Sequence, residues 1–247
     1  MTNDGLGPDP RHRAALLAAL TRGIARDVDR LPLPARLCNA FVDVFGGAGA
    51  AITLGYHQPD RLTLCATDPT VARLDGLQEV LGEGPGWDAF TSRRVVTADL
   101  RHPTPWEHFS STARQELGEL WVCAAPMRPD DRALGVVMVY DESPEAIGGD
   151  PVLAQFLAQF LADAVGAALL GHDALLTDDV GPWVVRQQVH QAVGMVVAQL
   201  GISPVDAMAV IRAHAYSQDT DVEAIAALVL DRALDFSDTG PTTKDPA

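Results

Sequence analysis

Apolar residues at positions 17, 20, 24, 28 and 31 follow the spacing of one helical face, which predicts an amphipathic helix over residues 11–31. Pro32 and Pro34 interrupt it, and residues 35–45 predict a second helix stopped by Gly46-Gly47. The pattern then turns to β: residues 49–56 and 61–67 predict strands joined by His57-Gln58-Pro59-Asp60, which is hairpin chemistry. Residues 71–81 predict a helix ended by Gly82-Glu83-Gly84-Pro85-Gly86, a stretch expected to hold no regular structure. Residues 94–98, 120–127 and 134–140 predict further strands, the last a continuous β-branched run. The first fold class expected is therefore α+β, an antiparallel sheet flanked by helices.

Residues 151–170 return to helix, with Val152, Phe156, Phe160 or Leu161, Val165 and Leu169 along one side. That stripe and the stripe at 11–31 are expected to bury each other, within one chain or across a dimer. Residues 171–182 carry three aspartates and close on Gly181-Pro182, which places a boundary there. Beyond it the chain reads as all-α. Residues 183–200 predict one helix ending at Gly201, and Ser203-Pro204-Val205-Asp206 caps a second that runs to 217. Thr220 with Glu223 opens a third to 236. The expected organisation is an N-terminal helix at 1–32, a first domain at 33–171, a linker at 172–182, a three-helix domain at 183–236 and a disordered tail at 237–247.

The chain has 247 residues, 47% of them hydrophobic, enough for two cores. Eighteen basic against 33 acidic side chains, a net charge of -15, leave no electrostatic footprint for indiscriminate binding to duplex DNA or an anionic membrane. No stretch reaches the roughly 20 continuous apolar residues of a membrane span. The three cysteines, Cys38, Cys65 and Cys123, are odd in number, distant in sequence and form no CxxC pair, so a reduced, cytoplasmic protein is expected. No phosphate loop, GxSxG, HExxH or paired-carboxylate motif is present, and His102, Trp106 and His108 in HPTPWEH lack the companions of a metal or catalytic site. No catalysis, cofactor or metal is expected.

The helix at 183–200 is the most informative. At about 100° per residue, Val185, Val189, Ala192, Val193, Val196 and Leu200 share the core arc, while Arg186, Gln187, His190, Gln191 and Gly194 share an arc without an acid. Such side chains can hydrogen-bond bases and phosphates, and Gly194, which costs about 1 kcal/mol against alanine in a helix, admits close approach.

Residues 186–234 resemble an ANTAR domain, the three-helix RNA-binding module of bacterial transcription antiterminators. The likeness rests on Gln191-Ala192-x-Gly194-Met195, Gly201-x-Ser203 with Ala207, Arg212-Ala213-x-Ala215 and the start of the third helix at 221–229. Val193 stands where many such domains place a lysine. Residues 33–170 resemble a GAF sensory domain of the kind joined to ANTAR modules in actinobacteria. Here the signs are Gly49-Ala50-Ala51-Ile52, Gln78, Leu81-Gly82-Glu83-Gly84-Pro85, Asp88-Ala89, Asp99-Leu100, Trp106, Phe109, Ala113 and Leu134-Gly135-Val136. Gly86 stands where relatives often carry cysteine.

The resemblance implies an RNA-binding antitermination regulator that engages stem-loops through Arg186, His190, Gln191 and Gly194, with Arg212 and His214 as secondary contacts. It also implies a GAF pocket under the 82–87 loop, lined by Ile52, Leu64, Trp87, Val122 and Val136. With no phosphate loop, an apolar or aromatic metabolite suits that pocket better than a phosphorylated one. A homodimer and no membrane association complete the expectation. The alternatives are a ligand-sensing or dimerisation regulator without RNA binding, and a DNA-binding helix-turn-helix regulator.

Overall fold

The computed structural model describes residues 10–56, 61–129, 133–143, 151–171 and 182–239. These fall into two units, one ending at residue 171 and the other beginning at 182. The hairpin turn at 57–60, most of the linker at 172–182 and the tail from 240 onward lie outside the described residues.

The first unit runs α1 (Pro10–Ile24), α2 (Leu33–Phe45), β1 (Gly49–Leu54), β2 (Leu62–Ala66), α3 (Pro69–Leu81), α4 (Pro85–Ser92), β3 (Val96–Asp99), α5 (Glu107–Leu117), β4 (Trp121–Met127), β5 (Gly135–Asp141) and α6 (Pro151–Leu170). Its five strands form one antiparallel sheet in the order β2-β1-β5-β4-β3. Because strand side chains alternate between faces, Ile52, Cys123, Ala125, Val137 and Val139 face a layer made by α1, α2 and α6. Ala51, Val122 and Met138 face the opposite way, toward α3 and α5. The second unit is α7 (Pro182–Leu200), α8 (Pro204–Ser217) and α9 (Val222–Leu230), followed by a 3-10 turn at Phe236–Thr239. An α+β domain, an antiparallel sheet flanked by helices, followed by an all-α three-helix domain is the fold class expected.

Several elements differ from expectation, each for a local reason. The first helix stops at Ile24 instead of continuing to 31, since Asp27 takes a left-handed φ of 53° and Val28 is left exposed. A Cβ at Gly23 would lie 2.7 Å from the Cβ of Ala40, so α1 and α2 meet almost backbone to backbone. Leu20 of α1 shares a core cluster with Leu161, Val165 and Leu169 of α6, and the two stripes meet within one chain. The glycine-rich stretch is shorter than a loop. Gly82 ends α3 in the left-handed conformation, and Pro85 opens α4 two residues after Glu83. Helix α5 gives no clear periodicity because only Phe109, Ser110 and Ala113 are buried on it.

Asp221, not Thr220, caps α9 by accepting from the Ala224 amide at 2.7 Å, and the helix ends at Leu230 before Arg232 turns to a φ of 57°. Phe236 is buried and opens the 3-10 turn that runs to Thr239. By length and composition α6 could cross a membrane, contrary to the sequence reading. Here Ala154, Ala158, Leu161, Ala162, Val165 and Leu169 seat it on the sheet.

Candidate functional site

Helix α7 sorts its residues by depth. Val189, Ala192, Val193 and Val196 are buried, while Gln187, His190, Gln191 and Gly194 are exposed. Apart from its chain neighbours and the helix's own backbone, no heavy atom lies within 4 Å of where a Cβ at Gly194 would stand, so the helix surface there is open. Arg186 departs from the expected surface: it is only 5% exposed. Positions 186, 189 and 193 are three and four residues apart and stack on one side of a helix, so the arginine follows the two valines inward.

On α8, Arg212 is half-buried. His214 is also half-buried, its ring edge-on to Phe236 at 5.4 Å and its Nε2 2.6 Å from Nε2 of Gln218. That histidine ties α8 to the 3-10 turn. Tyr216, which the sequence reading passed over, is 57% exposed. At about 100° per residue it falls well outside the arc of Ala207, Met208, Ile211 and Ala215, and helical spacing turns it outward.

The pocket expected in the first unit is not assembled. Ile52 and Leu64 point into the layer of α1, α2 and α6, whereas Val122 and Val136 point from the other face of the sheet. Residues on opposite faces of one sheet cannot line one cavity. Trp87 sits with Tyr56, Phe90 and Val136, in the cluster that fills the space beneath the 82–87 segment. Tyr56 is fully buried, 5.6 Å from the Trp87 ring and 5.4 Å from that of Phe90.

Gln78, also fully buried, fastens the segment from below. Its Oε1 accepts from the Gly86 amide at 2.7 Å, and its main-chain oxygen accepts from Trp87 Nε1 at 3.1 Å. Glu83 reaches sideways, its Oε1 accepting from the Phe109 amide at 2.9 Å near the start of α5.

Beside Tyr56 lies a buried ionic cluster. Arg61 donates to Glu79 Oε2 at 2.8 Å, to the Asp75 main-chain oxygen at 3.0 Å and to the Asp75 carboxylate. Thr53 and Thr63 donate to the same carboxylate at 3.1 and 2.5 Å. The Arg61 guanidinium stands 5.1 Å over the Tyr56 ring, a cation–π contact. Burial is the main reason the Tyr56 phenol ionises only well above its usual range.

Two open hollows mark the surface instead. One, of about 490 Å³, is bordered by Arg101, His102, His108 and Arg114. Thus His102 and His108 rim a surface hollow, whereas Trp106 is buried and donates through Nε1 to Asp88 at 3.0 Å. The second, of about 320 Å³, lies between the end of α1 and α2. Among the described residues no group of three or more His, Cys, Asp or Glu could hold a metal ion.

The cysteines correct one further expectation. Cys38 on α2 and Cys65 on β2, distant in sequence, are joined as a disulfide, and Cys123 is free and buried.

The architecture is an α+β domain preceding a three-helix domain. The ANTAR domain family matches residues 184–230, so the second unit carries an ANTAR domain. No curated protein sequence matches the chain. Among solved structures, the chain is similar to the GAF domain of the A. aeolicus nlh2 protein in an inactive state, at 12% identity and a TM-score of 0.42, covering 64% of this chain and 92% of that one. It is also similar to residues 122 to 287 of a methyl-accepting chemotaxis protein, at 18% identity and a TM-score of 0.37, covering 67% of this chain and 98% of that one.

Proposed function

We propose that the chain is a cytoplasmic transcription antitermination regulator in which the GAF-like domain controls an ANTAR domain that binds stem-loop RNA. The observation that carries this reading is the exposed, acid-free face of α7, where Gln187, His190 and Gln191 flank the open surface at Gly194. Amide and imidazole groups hydrogen-bond base edges and phosphates, and the missing side chain lets an RNA backbone come close. Tyr216 adds an exposed aromatic ring on which a base can stack.

Binding by a homodimer fits the low charge, since two linked modules bind more tightly than one. The exposed Leu17, Val152, Leu153 and Leu170 are the surface we assign to self-association. A small molecule acting on the first domain beneath the 82–87 segment has to displace Tyr56, which makes an apolar or aromatic ligand, or a partner protein, the fitting input.

A regulator that dimerises without binding RNA is favoured by one observation. From residue 183 onward Arg186, Arg212, Arg232 and Lys244 are outnumbered by Asp206, Asp219, Asp221, Glu223, Asp231, Asp235, Asp238 and Asp245. A DNA-binding reading is weaker, because α9 carries Glu223 and no basic residue. Crosslinking in cells followed by sequencing of the RNA recovered with the protein tests the proposal. Enrichment of leader transcripts that hold paired stem-loops supports it; recovery of a dimer with no RNA above a mock control favours the second reading.

A further inference from the structure

We propose that Cys38 and Cys65 are a redox-responsive pair, a modification site that staples α2 to the edge strand β2 when oxidised and releases it when reduced. A break in strand register builds the pair. Ile52 of β1 lies opposite Cys65 and Thr53 opposite Thr63, so Leu64 is an extra residue on β2, a β-bulge. Simple alternation would turn residue 65 away from the face that Leu64 occupies. The bulge turns both Leu64 and Cys65 toward the layer that contains α2. There Cys38 waits on the buried side of α2, and the sulfurs are bonded.

The surroundings suit the reduced state as well. Cys65 Sγ lies 3.1 Å from the main-chain oxygen of Pro34, and Cys38 Sγ 3.9 Å from that of Cys65, so each thiol has an acceptor when the bond is open. Access is unequal: Cys38 is fully buried, whereas Cys65 is half-buried on a strand at the sheet edge. Cys123 lies on a central strand, fully buried, and forms no part of the pair.

Cys65 is therefore the point of entry. With a peroxide as oxidant, its sulfur attacks one peroxide oxygen and the O–O bond breaks, giving a sulfenic acid and water. Cys38 then attacks the sulfenic sulfur. The S–S bond forms, the S–O bond breaks and a second water leaves, so two thiols and one hydrogen peroxide yield one disulfide and two waters. A dithiol reductant reverses the change by thiol–disulfide exchange, entering at the same half-buried residue.

The test uses the full chain, purified under reductant and then treated with hydrogen peroxide. Free thiols are blocked by alkylation, the digest is mapped without reduction, and the melting temperature is followed. The proposal expects a Cys38–Cys65 linked peptide, a melting transition of the first domain raised by about 5–10 °C, and reversal of both by dithiothreitol. Cys65→Ser should abolish both effects and Cys123→Ser should leave both intact; the wild-type comparison stands even where a variant folds poorly. Cys65 recovered as a sulfinic acid beside an unmodified Cys38 overturns the proposal. So does a linked peptide that leaves the melting temperature unmoved, or one that dithiothreitol cannot open in the folded protein.

Discussion

The Tyr56 hydroxyl occupies the space that a side chain at Gly86 would need. The two residues explain each other: a glycine lets the start of α4 close over the ring, and the ring fills what would otherwise be a cavity under the loop. Gly86→Ala should therefore destabilise the first domain by about 1–3 kcal/mol in urea unfolding, the usual cost of overpacking. Combined with Tyr56→Ala, the same substitution should cost clearly less than it does alone. Additive penalties in the double variant would show that the two positions do not compete for space.

Arg61 is ion-paired with Asp75 and Glu79 in a buried group. Arg61→Leu leaves two buried carboxylates without it and should cost about 3–5 kcal/mol. Arg61→Leu with Asp75→Asn and Glu79→Gln should recover much of that loss. Chemical denaturation measures both, and a cost under about 1 kcal/mol for the single variant would contradict the arrangement.

Burial pushes the Cys123 thiol up to about 12, whereas an unfolded thiol ionises near pH 8.5. Above that pH the unfolded chain gives up a proton that the folded chain keeps, so this group lowers stability as pH rises through the window and has no effect below it. Iodoacetamide should label Cys123 slowly in the folded protein, with little acceleration between pH 8 and 9.5. Rapid labelling at pH 8 would show that the thiol is accessible.

In the second unit, depth decides what each α7 substitution does. Arg186→Ala and Val193→Lys both alter buried positions. Each should lower the stability of the second unit by about 1–3 kcal/mol. Gly194→Leu should leave it equal or higher, since leucine favours a helix and the space is open. Thermal melts of the full chain separate the cases; a stable Val193→Lys variant would place that position at the surface.

The sheet was legible through short apolar runs, the clearest of them the β-branched run of β5, and all five expected strands form. The three helices after residue 182 were legible through the Gly201 stop, the Ser203 cap and apolar spacing. What escaped has physical causes. A helical arc does not say which way a boundary residue leans, and Arg186 leans inward. Alternation says which residues of one strand share a face but not which face of the sheet that is, and Ile52 and Leu64 face away from Val122 and Val136. Tyr56, Arg61, Asp75 and Glu79 fill the first domain's interior, yet no local motif unites them, because β1, β2 and α3 bring them together only in space. Cys65 meets Cys38 through a bulge that no spacing rule announces.

The central claim concerns the open face of α7. Its most direct measurement is the affinity of the full chain, and of its Gly194→Leu and Gln191→Ala variants, for a stem-loop RNA recovered by crosslinking, with stability followed in parallel. The account expects wild-type binding to weaken by about 1–3 kcal/mol in each variant, with no loss of stability. Unchanged affinity in both variants for an RNA that the wild type binds would place the RNA surface elsewhere and contradict the claim.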